Sequence, residues 1–284
     1  MSIYKPSELR QFLEHLGVSP KKGLSQNFLI DGNILRKIVA TAQLSPGDHV
    51  VEIGPGPGAL TEQLLAVGAH VIAIEKDPVY AKALDRFEGE GCHLEVHCDD
   101  AMEFDLEAAV RSKLKPGQKA KVIANLPYHL TTPIIARLIT MRECFSSLVL
   151  MVQEEVARRF VAHPKTSEYS SFTVFLNFYS RPAYAFTVSR QCFYPSPKVD
   201  SAIVVLTLQQ PPEVLGGEDD FFVMTRTAFK QRRKMLRGSL KGLYPPEKIE
   251  SSLQAIGKNP LSRPEELSLE DFLKFFADVN IHKL

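Results

Sequence analysis

The nine residues Val50-Val51-Glu52-Ile53-Gly54-Pro55-Gly56-Pro57-Gly58 constrain this chain more than any other stretch. A β-branched run, His49 to Ile53, stops at a glycine, and small or ring-closed residues then lead into a helix-period segment over residues 59–67. A strand, tight turn and helix of this kind lets the backbone approach a ligand closely and leaves free N–H groups at the helix start. A tight turn with no ligand would read the same way locally. The spacing is G-x-G-x-G, which departs from the G-x-G-x-x-G of dinucleotide binders. The glycines alone therefore do not name the ligand, and the residues downstream of them have to.

Downstream, apolar runs alternate with helical segments. The runs at Ala69 to Ile74, Leu94 to His97, Lys121 to Ala124 and Ser147 to Val152 are separated by helix-period segments at Pro78 to Phe87 and Pro133 to Thr140. An earlier helix, Ile34 to Ala42, has Asp31 as its cap. Strands alternating with helices predict a doubly wound, parallel α/β sheet covered on both faces. Two later β-rich runs, Ala183 to Val188 and Ala202 to Leu208, read as an antiparallel hairpin finishing that sheet. Turn and linker chemistry at Gln210-Pro211-Pro212 and Gly216-Gly217 marks a boundary, with helices expected at Phe221 to Lys241, Pro246 to Ile256 and Ser268 to Val279. The expected division is 1–210, a ligand-binding catalytic domain, and 211–284, a smaller all-helical domain.

The strand ends carry the chemistry. Glu75 closes the second strand twenty-one positions after Gly54, and Asp100 closes the third behind Asp99. A carboxylate at such an end can accept both hydroxyls of a ribose, because neighbouring strand ends share one crevice. Taken singly, Glu75 or Asp99 could be a solvated loop acid. Together, Gly, Glu and Asp on successive strand ends suit a nucleoside. Their order suits S-adenosyl-L-methionine, with Gly54 and Gly56 near the methionine part, Glu75 on the ribose and Asp100 on the adenine amine.

After the fourth strand comes Asn125-Leu126-Pro127-Tyr128. An exocyclic aromatic amine is a poor nucleophile because its lone pair is delocalised into the ring. Two acceptors on its hydrogens favour a pyramidal nitrogen, and the Asn125 side-chain oxygen and the Leu126 carbonyl can be those acceptors. Pro127 stiffens the loop, and Tyr128 offers a flat face for an extruded base. The competing reading is a turn with a buried tyrosine.

Seven segments in order carry a resemblance that spans nearly the whole chain. They are Leu24-Ser25-Gln26-Asn27-Phe28-Leu29-Ile30-Asp31, Glu52-Ile53-Gly54-Pro55-Gly56, Asp100-Ala101-Met102, Asn125-Leu126-Pro127-Tyr128, Gln153-Glu154-Glu155-Val156-Ala157, Phe193-Tyr194-Pro195-Ser196-Pro197-Lys198-Val199-Asp200-Ser201 and Ala228-Phe229-Lys230-Gln231-Arg232-Arg233-Lys234. The chain resembles the S-adenosylmethionine-dependent ribosomal RNA adenine N6-dimethyltransferases, most closely the small-subunit (16S) type. The resemblance implies a Rossmann-like class I methyltransferase fold. It implies dimethylation of N6 on two adjacent adenosines in the 3′-terminal hairpin of 16S rRNA, as part of ribosome biogenesis. It also implies that Asn27 and Leu29 join Gly54, Glu75, Asp100 and Asn125 around the cofactor, and that Phe193 flanks the target base opposite Tyr128. His129 departs from the small polar residue usual after the tyrosine and bears on the pocket lip. Two alternatives share these features: a 23S rRNA adenine methylase of the antibiotic-resistance type, and an assembly factor whose main role is binding the subunit.

Charge is the remaining signal. Lys and Arg number 34 against 33 Asp and Glu, a balance that by itself speaks against a nucleic-acid binder. Along the chain the charges separate. Nine acids fall between Asp85 and Glu107, whereas Lys230, Arg232, Arg233, Lys234, Arg237 and Lys241 occupy a stretch with no acid. On a helix such a density can line phosphates, so these residues are the expected RNA contacts, with Lys21, Lys22, Arg158, Arg159 and Lys165 as possible extensions. Cys92, Cys98, Cys144 and Cys192 show no CxxC spacing and the histidines are scattered, which argues for reduced thiols and no metal site. No 18-residue apolar run exists and Met1 to Lys22 lacks an apolar leader core, so the expectation is a cytoplasmic monomer.

Overall fold

The computed structural model describes residues 3–20, 26–87, 89 and 92–281, and for His129 the backbone alone. Lys21, Lys22, Leu24 and Ser25 lie outside the described residues, as does any effect of the His129 side chain on the pocket.

The chain opens with α1 (Pro6–His15), β1 (Phe28–Leu29) and α2 (Gly32–Thr41), then alternates β2 (His49–Ile53), α3 (Ala59–Ala66), β3 (His70–Glu75), α4 (Pro78–Ala83), β4 (Leu94–Cys98), α5 (Leu106–Arg111), β5 (Ala120–Asn125), α6 (Thr131–Ile139) and β6 (Phe145–Gln153). Next come α7 (Glu154–Phe160), α8 (Ser171–Tyr179), β7 (Ser180–Val188), β8 (Phe193–Tyr194) and β9 (Ser201–Leu208). The remainder is helical: α9 (Glu218–Phe229), α10 (Leu236–Ser239), α11 (Pro246–Ala255) and α12 (Leu269–Val279). Asp31 caps α2 as expected, accepting from the Asn33 and Ile34 N–H groups at 2.8 and 3.2 Å.

Seven strands form one sheet in the order β4-β3-β2-β5-β6-β9-β7. Strands β4, β3, β2, β5 and β6 pair in parallel, and β9 runs antiparallel to β6. The central strands are buried along almost their whole length, which is why they read as continuous apolar runs instead of alternating ones. The two later β-runs do finish the sheet side by side, but β9 inserts between β6 and β7, leaving β7 at the edge. Between them in sequence, β8 pairs antiparallel with β1, matching Leu29 to Phe193 and Phe28 to Tyr194.

The chain falls into two compact units, Met1–Ala157 with Ala183–Gln209, and Arg158–Pro182 with Gln210–Leu284. A single cut at residue 210 would place Arg158–Pro182 with the sheet. It groups instead with the tail, because α8 and α9 share an aromatic cluster. Phe178 lies 5.7 Å from Phe221 and 5.0 Å from Phe222, and Tyr179 stacks on Phe222 at 5.8 Å, centroid to centroid. Phe178 and Phe221 are fully buried. The Tyr179 hydroxyl also donates to Glu218 at 2.7 Å.

The basic segment is not the helix expected over Phe221 to Lys241. Helix α9 stops at Phe229, residues 230–234 form turns, and Met235 is extended at φ −62°, ψ 151°. Four cations among five residues repel one another with no acid at helical spacing to offset them. The chain then leaves the helical path to bury Leu236, whose N–H donates to the Ser262 carbonyl at 2.9 Å. No helix among the described residues is long and apolar enough to cross a membrane, and the four cysteines are free.

Candidate active site

The sheet order reverses direction at β2, whose neighbours are β3 and β5. Doubly wound sheets open a crevice at such a point, beyond the carboxyl ends of the strands. Gly54 follows β2, Glu75 ends β3, Asp99 and Asp100 follow β4, and Asn125 ends β5, all on one edge. Each of these residues lines a single open cavity of about 180 Å³, together with Asn27, Gly56, Leu126, Pro127 and Tyr128.

The glycine loop is shaped by its backbone. Gly54 sits at φ +69° and Gly56 at φ +53°, where a side chain is strained. A Cβ on Gly56 would also lie 3.0 Å from the Phe28 ring, so the loop is a cradle that a side chain would fill. The Gly56 N–H donates to Glu75 Oε2 at 2.9 Å, and the Asp77 N–H to Glu75 Oε1 at 2.8 Å. Burial pushes the Glu75 carboxyl above its ordinary pKa, while those two N–H groups pull the other way. Glu75 therefore ties the glycine loop to the next strand end as well as presenting a carboxylate to the cavity.

Asp100 accepts from the Met102 N–H through Oδ1 at 2.8 Å and from Lys76 Nζ through Oδ2 at 2.7 Å. The bond from Lys76 holds its carboxyl below the usual range, so it stays charged at neutral pH. The Asp100 N–H itself donates to Asp99 Oδ1 at 2.7 Å. A glycine cradle with two strand-end carboxylates is a donor and acceptor set that fits a nucleoside carrying hydroxyls and an amine.

Asn125 Nδ2 donates to the Asn27 carbonyl at 3.2 Å, which commits the amide nitrogen and leaves Oδ1 as the accepting end. Leu126 is anchored by its side chain, 1% exposed, and by its N–H to the Met151 carbonyl at 3.3 Å. The Pro127 carbonyl accepts from the Leu130 N–H at 3.0 Å and from Thr131 Oγ1 at 3.3 Å, fastening the loop to the start of α6. The Tyr128 hydroxyl pairs with Ser201 Oγ at 2.9 Å, and burial raises its pKa.

Two expected residues sit elsewhere. Leu29 is buried and lines a smaller apolar pocket that shares Gly54 and Asn125 with the main cavity. Phe193, expected beside the target base, does not line the cavity. It is 3% exposed and packs in the cluster of Leu29, Leu35 and Ile38, because in the two-residue β8 it takes the inward face opposite Tyr194. Three contributors were not singled out: Phe28 under the glycine loop, Lys76 on Asp100, and Glu52. Glu52 is buried at the end of β2, accepts from Thr61 Oγ1 at 2.7 Å, and is pushed up to about 8, chiefly by burial. Its signals in the sequence are a single acid inside an apolar strand and its place at the head of the Glu52 to Gly56 segment.

In the other unit, Lys230, Arg232, Arg233, Lys234 and Arg237 are all exposed. Lys230 to Lys234 wall a shallow concavity with Phe229. Arg237 is paired with Glu250 at 2.8 Å and Arg232 reaches the Thr166 carbonyl at 3.5 Å, whereas Lys230, Arg233 and Lys234 make no ion pair among the described residues.

Comparison with known proteins bears on this geometry directly. The family model for ribosomal RNA adenine dimethylase matches residues 18–280. The chain belongs to that family. A ribosomal RNA small subunit methyltransferase A of Protochlamydia amoebophila is 62% identical over 98% of both chains, and one of Chlamydia muridarum is 46% identical over 95% of both. Among solved structures, a dimethyladenosine transferase from Plasmodium falciparum superposes with a TM-score of 0.75 at 28% identity, covering 90% of this chain and 98% of that one. The 23S rRNA methyltransferase ErmE superposes at 0.67 with 27% identity, covering 89% and 100%. This dimethylase is thus an S-adenosylmethionine-dependent enzyme with a Rossmann-like sheet, and the fit of its cavity to a nucleoside agrees with that cofactor.

Proposed function

We propose that this dimethylase transfers methyl groups from S-adenosyl-L-methionine to N6 of two adjacent adenosines in the 3′-terminal hairpin of 16S rRNA, within the small ribosomal subunit or its precursor. The observation that carries the reading is the bond from Asn125 Nδ2 to the Asn27 carbonyl, which sets the amide so that Oδ1 accepts. In this reading Gly54, Gly56, Asn27, Glu75 and Asp100 hold the cofactor, with Glu75 on the ribose and Asp100 on the adenine amine. When bound, S-adenosylmethionine supplies an electrophilic methyl on a sulfonium. Asn125 Oδ1 and the Leu126 carbonyl accept the two amine hydrogens of the target base, drawing its lone pair out of the ring. Pro127 keeps that carbonyl in place, and Tyr128, anchored through Ser201, gives the base a surface to stack on. Phe193 takes part only if its side chain turns out of the cluster that now holds it. Catalysis is by positioning and by tuning the amine, with no strong base required. Exposed Lys230, Arg232, Arg233, Lys234 and Arg237 dock the RNA, with Arg158–Pro182 and Gln210–Leu284 as the docking unit and Met1–Ala157 with Ala183–Gln209 as the catalytic one. We read the chain as a cytoplasmic monomer, and four free thiols suit the reducing compartment.

The test is labelled methyl transfer to isolated, under-methylated subunits with mapping of the modified bases. Wild-type protein is expected to place label in N6,N6-dimethyladenine of small subunits and not of large ones. Asn125→Ala is expected to lose about a hundredfold or more of the transfer rate, the scale for a lost electrostatic group, while keeping its fold. Label confined to large subunits would point to 23S rRNA, and wild-type transfer by Asn125→Ala would refute the mechanism.

A further inference from the structure

The cavity has a cation at its rim that methyl transfer leaves unused. Lys76 follows Glu75 directly, lines the cavity, and places Nζ 2.7 Å from Asp100 Oδ2. The other carboxylate oxygen already takes the Met102 N–H. Each oxygen keeps a second lone pair, so Lys76 and the amine of a nucleoside contend for the charge and the space of one carboxylate, and the ammonium, being charged, makes the stronger hydrogen bond of the two. The Lys76 side chain is 69% exposed and that of Asp100 is 21% exposed, so the pair stands in solvent and yields at small cost.

We propose that Lys76 is a positioning residue that competes with the adenine amine for Asp100, so that binding of the adenosyl group is coupled to loosening of the Lys76–Asp100 pair. The inference rests on the assignment of the adenine amine to Asp100. Its consequence is a deliberately modest hold on the nucleoside. An enzyme that must exchange S-adenosylhomocysteine for fresh cofactor between successive transfers gains from product that leaves readily, because tight uniform binding does not speed the chemical step.

The experiment is calorimetric titration of the purified protein with S-adenosylhomocysteine, whose sulfur, unlike that of the cofactor, carries no charge. Wild type, Lys76→Met and Lys76→Arg are compared between about 0.05 and 0.5 M NaCl, a range over which screening of exposed charges becomes strong. Lys76→Met should bind about two- to fivefold more tightly at low salt, the scale of an exposed ion pair. Wild-type affinity should rise with salt as the competing pair is screened, the Met variant should be flat, and Lys76→Arg should restore wild-type behaviour. Melting temperatures should match, since the pair is solvated. Equal or weaker binding by Lys76→Met would overturn the proposal. Asp100→Asn separates the two levels. If it weakens binding while Lys76→Met does nothing, competition fails and the adenine assignment stands; if it leaves affinity unchanged, both fall.

Discussion

At the residue scale, Glu52 shows how one buried group sets a pH response. It is 2% exposed, and its carboxyl, bonded by Thr61, is pushed up to about 8, so it is mostly protonated at neutral pH. In the unfolded chain the same group titrates near its ordinary value of 4.5. Between those values the folded state holds the extra proton, so stability falls as pH rises from about 4.5 through about 8. Glu52→Gln keeps an acceptor for Thr61 and removes the titration. Thermal melts of the two proteins should nearly coincide near pH 5 and diverge by pH 8 to 9, with the variant higher. A difference independent of pH would mean that Glu52 is charged in the fold. Nothing in the local sequence distinguishes Glu52 from Glu75, two acids at the ends of neighbouring apolar runs. Position along the sheet decides: Glu52 pairs with Ala73, so Glu75 lies on the same face but two residues nearer the carboxyl edge, where the crevice opens.

At the element scale, the α8–α9 contact and the far edge of the sheet make separate predictions. Phe178 is fully buried among Tyr179, Phe221 and Phe222, so Phe178→Ala should cost about 3–5 kcal/mol, read as a lower denaturant midpoint. A loss below about 1 kcal/mol would show that the cluster collapses around the gap or is not packed as described. At the edge opposite the cavity, His49, His70 and His93 form a ladder, with centroids 4.9 and 4.0 Å apart. Burial holds His49 and His70 below their ordinary 6.5; His70 and the lysines Lys113 and Lys115 lower His49 further, Asp48 opposes them, and His93 lowers His70. The unfolded chain then takes up protons before the folded sheet does. Stability is lost as pH falls below about 6.5 toward the lower folded values. Urea midpoints should drop between about pH 7 and pH 5.5, and His70→Gln should flatten that limb. An unchanged slope in the variant would remove the ladder as the cause. The elements themselves were largely legible in sequence, since apolar runs and helix periods located β2 to β6, α11 and α12 to within a few residues, and the start of α9 but not its end. The basic segment misled because charge density says nothing about backbone path. The bond from Leu236 to Ser262 that pulls the chain out of the helix is made by a residue twenty-six positions away.

At the scale of the whole molecule, the near-zero charge balance hides a separation. Acids gather around β4 in the unit with the cavity, while Lys230 to Lys234 stand exposed in the other. Each phosphate neutralised releases counterions, so the number of basic contacts appears as the slope of RNA affinity against salt. Reversing Arg232 and Arg233 to Glu should weaken binding to small-subunit RNA and reduce that slope by about two. An unchanged slope would remove this loop from the RNA interface. What the sequence by itself determined is whatever depends on near neighbours: the strand-and-helix alternation, the glycine turn, the Asp31 cap, and the placing of Gly54, Glu75, Asp100 and Asn125 at strand ends. It also carried the family, because seven short motifs in order hardly recur by chance. Only the tertiary structure decided which distant segments meet. It put Asn27 on Asn125, ninety-eight residues apart, and slid β9 between β6 and β7. It also carried Arg158–Pro182 into the helical unit and turned Phe193 inward. The reason is the same in each case: periodicity reports which face of an element is apolar, but the partner that covers that face is selected by packing across the whole chain.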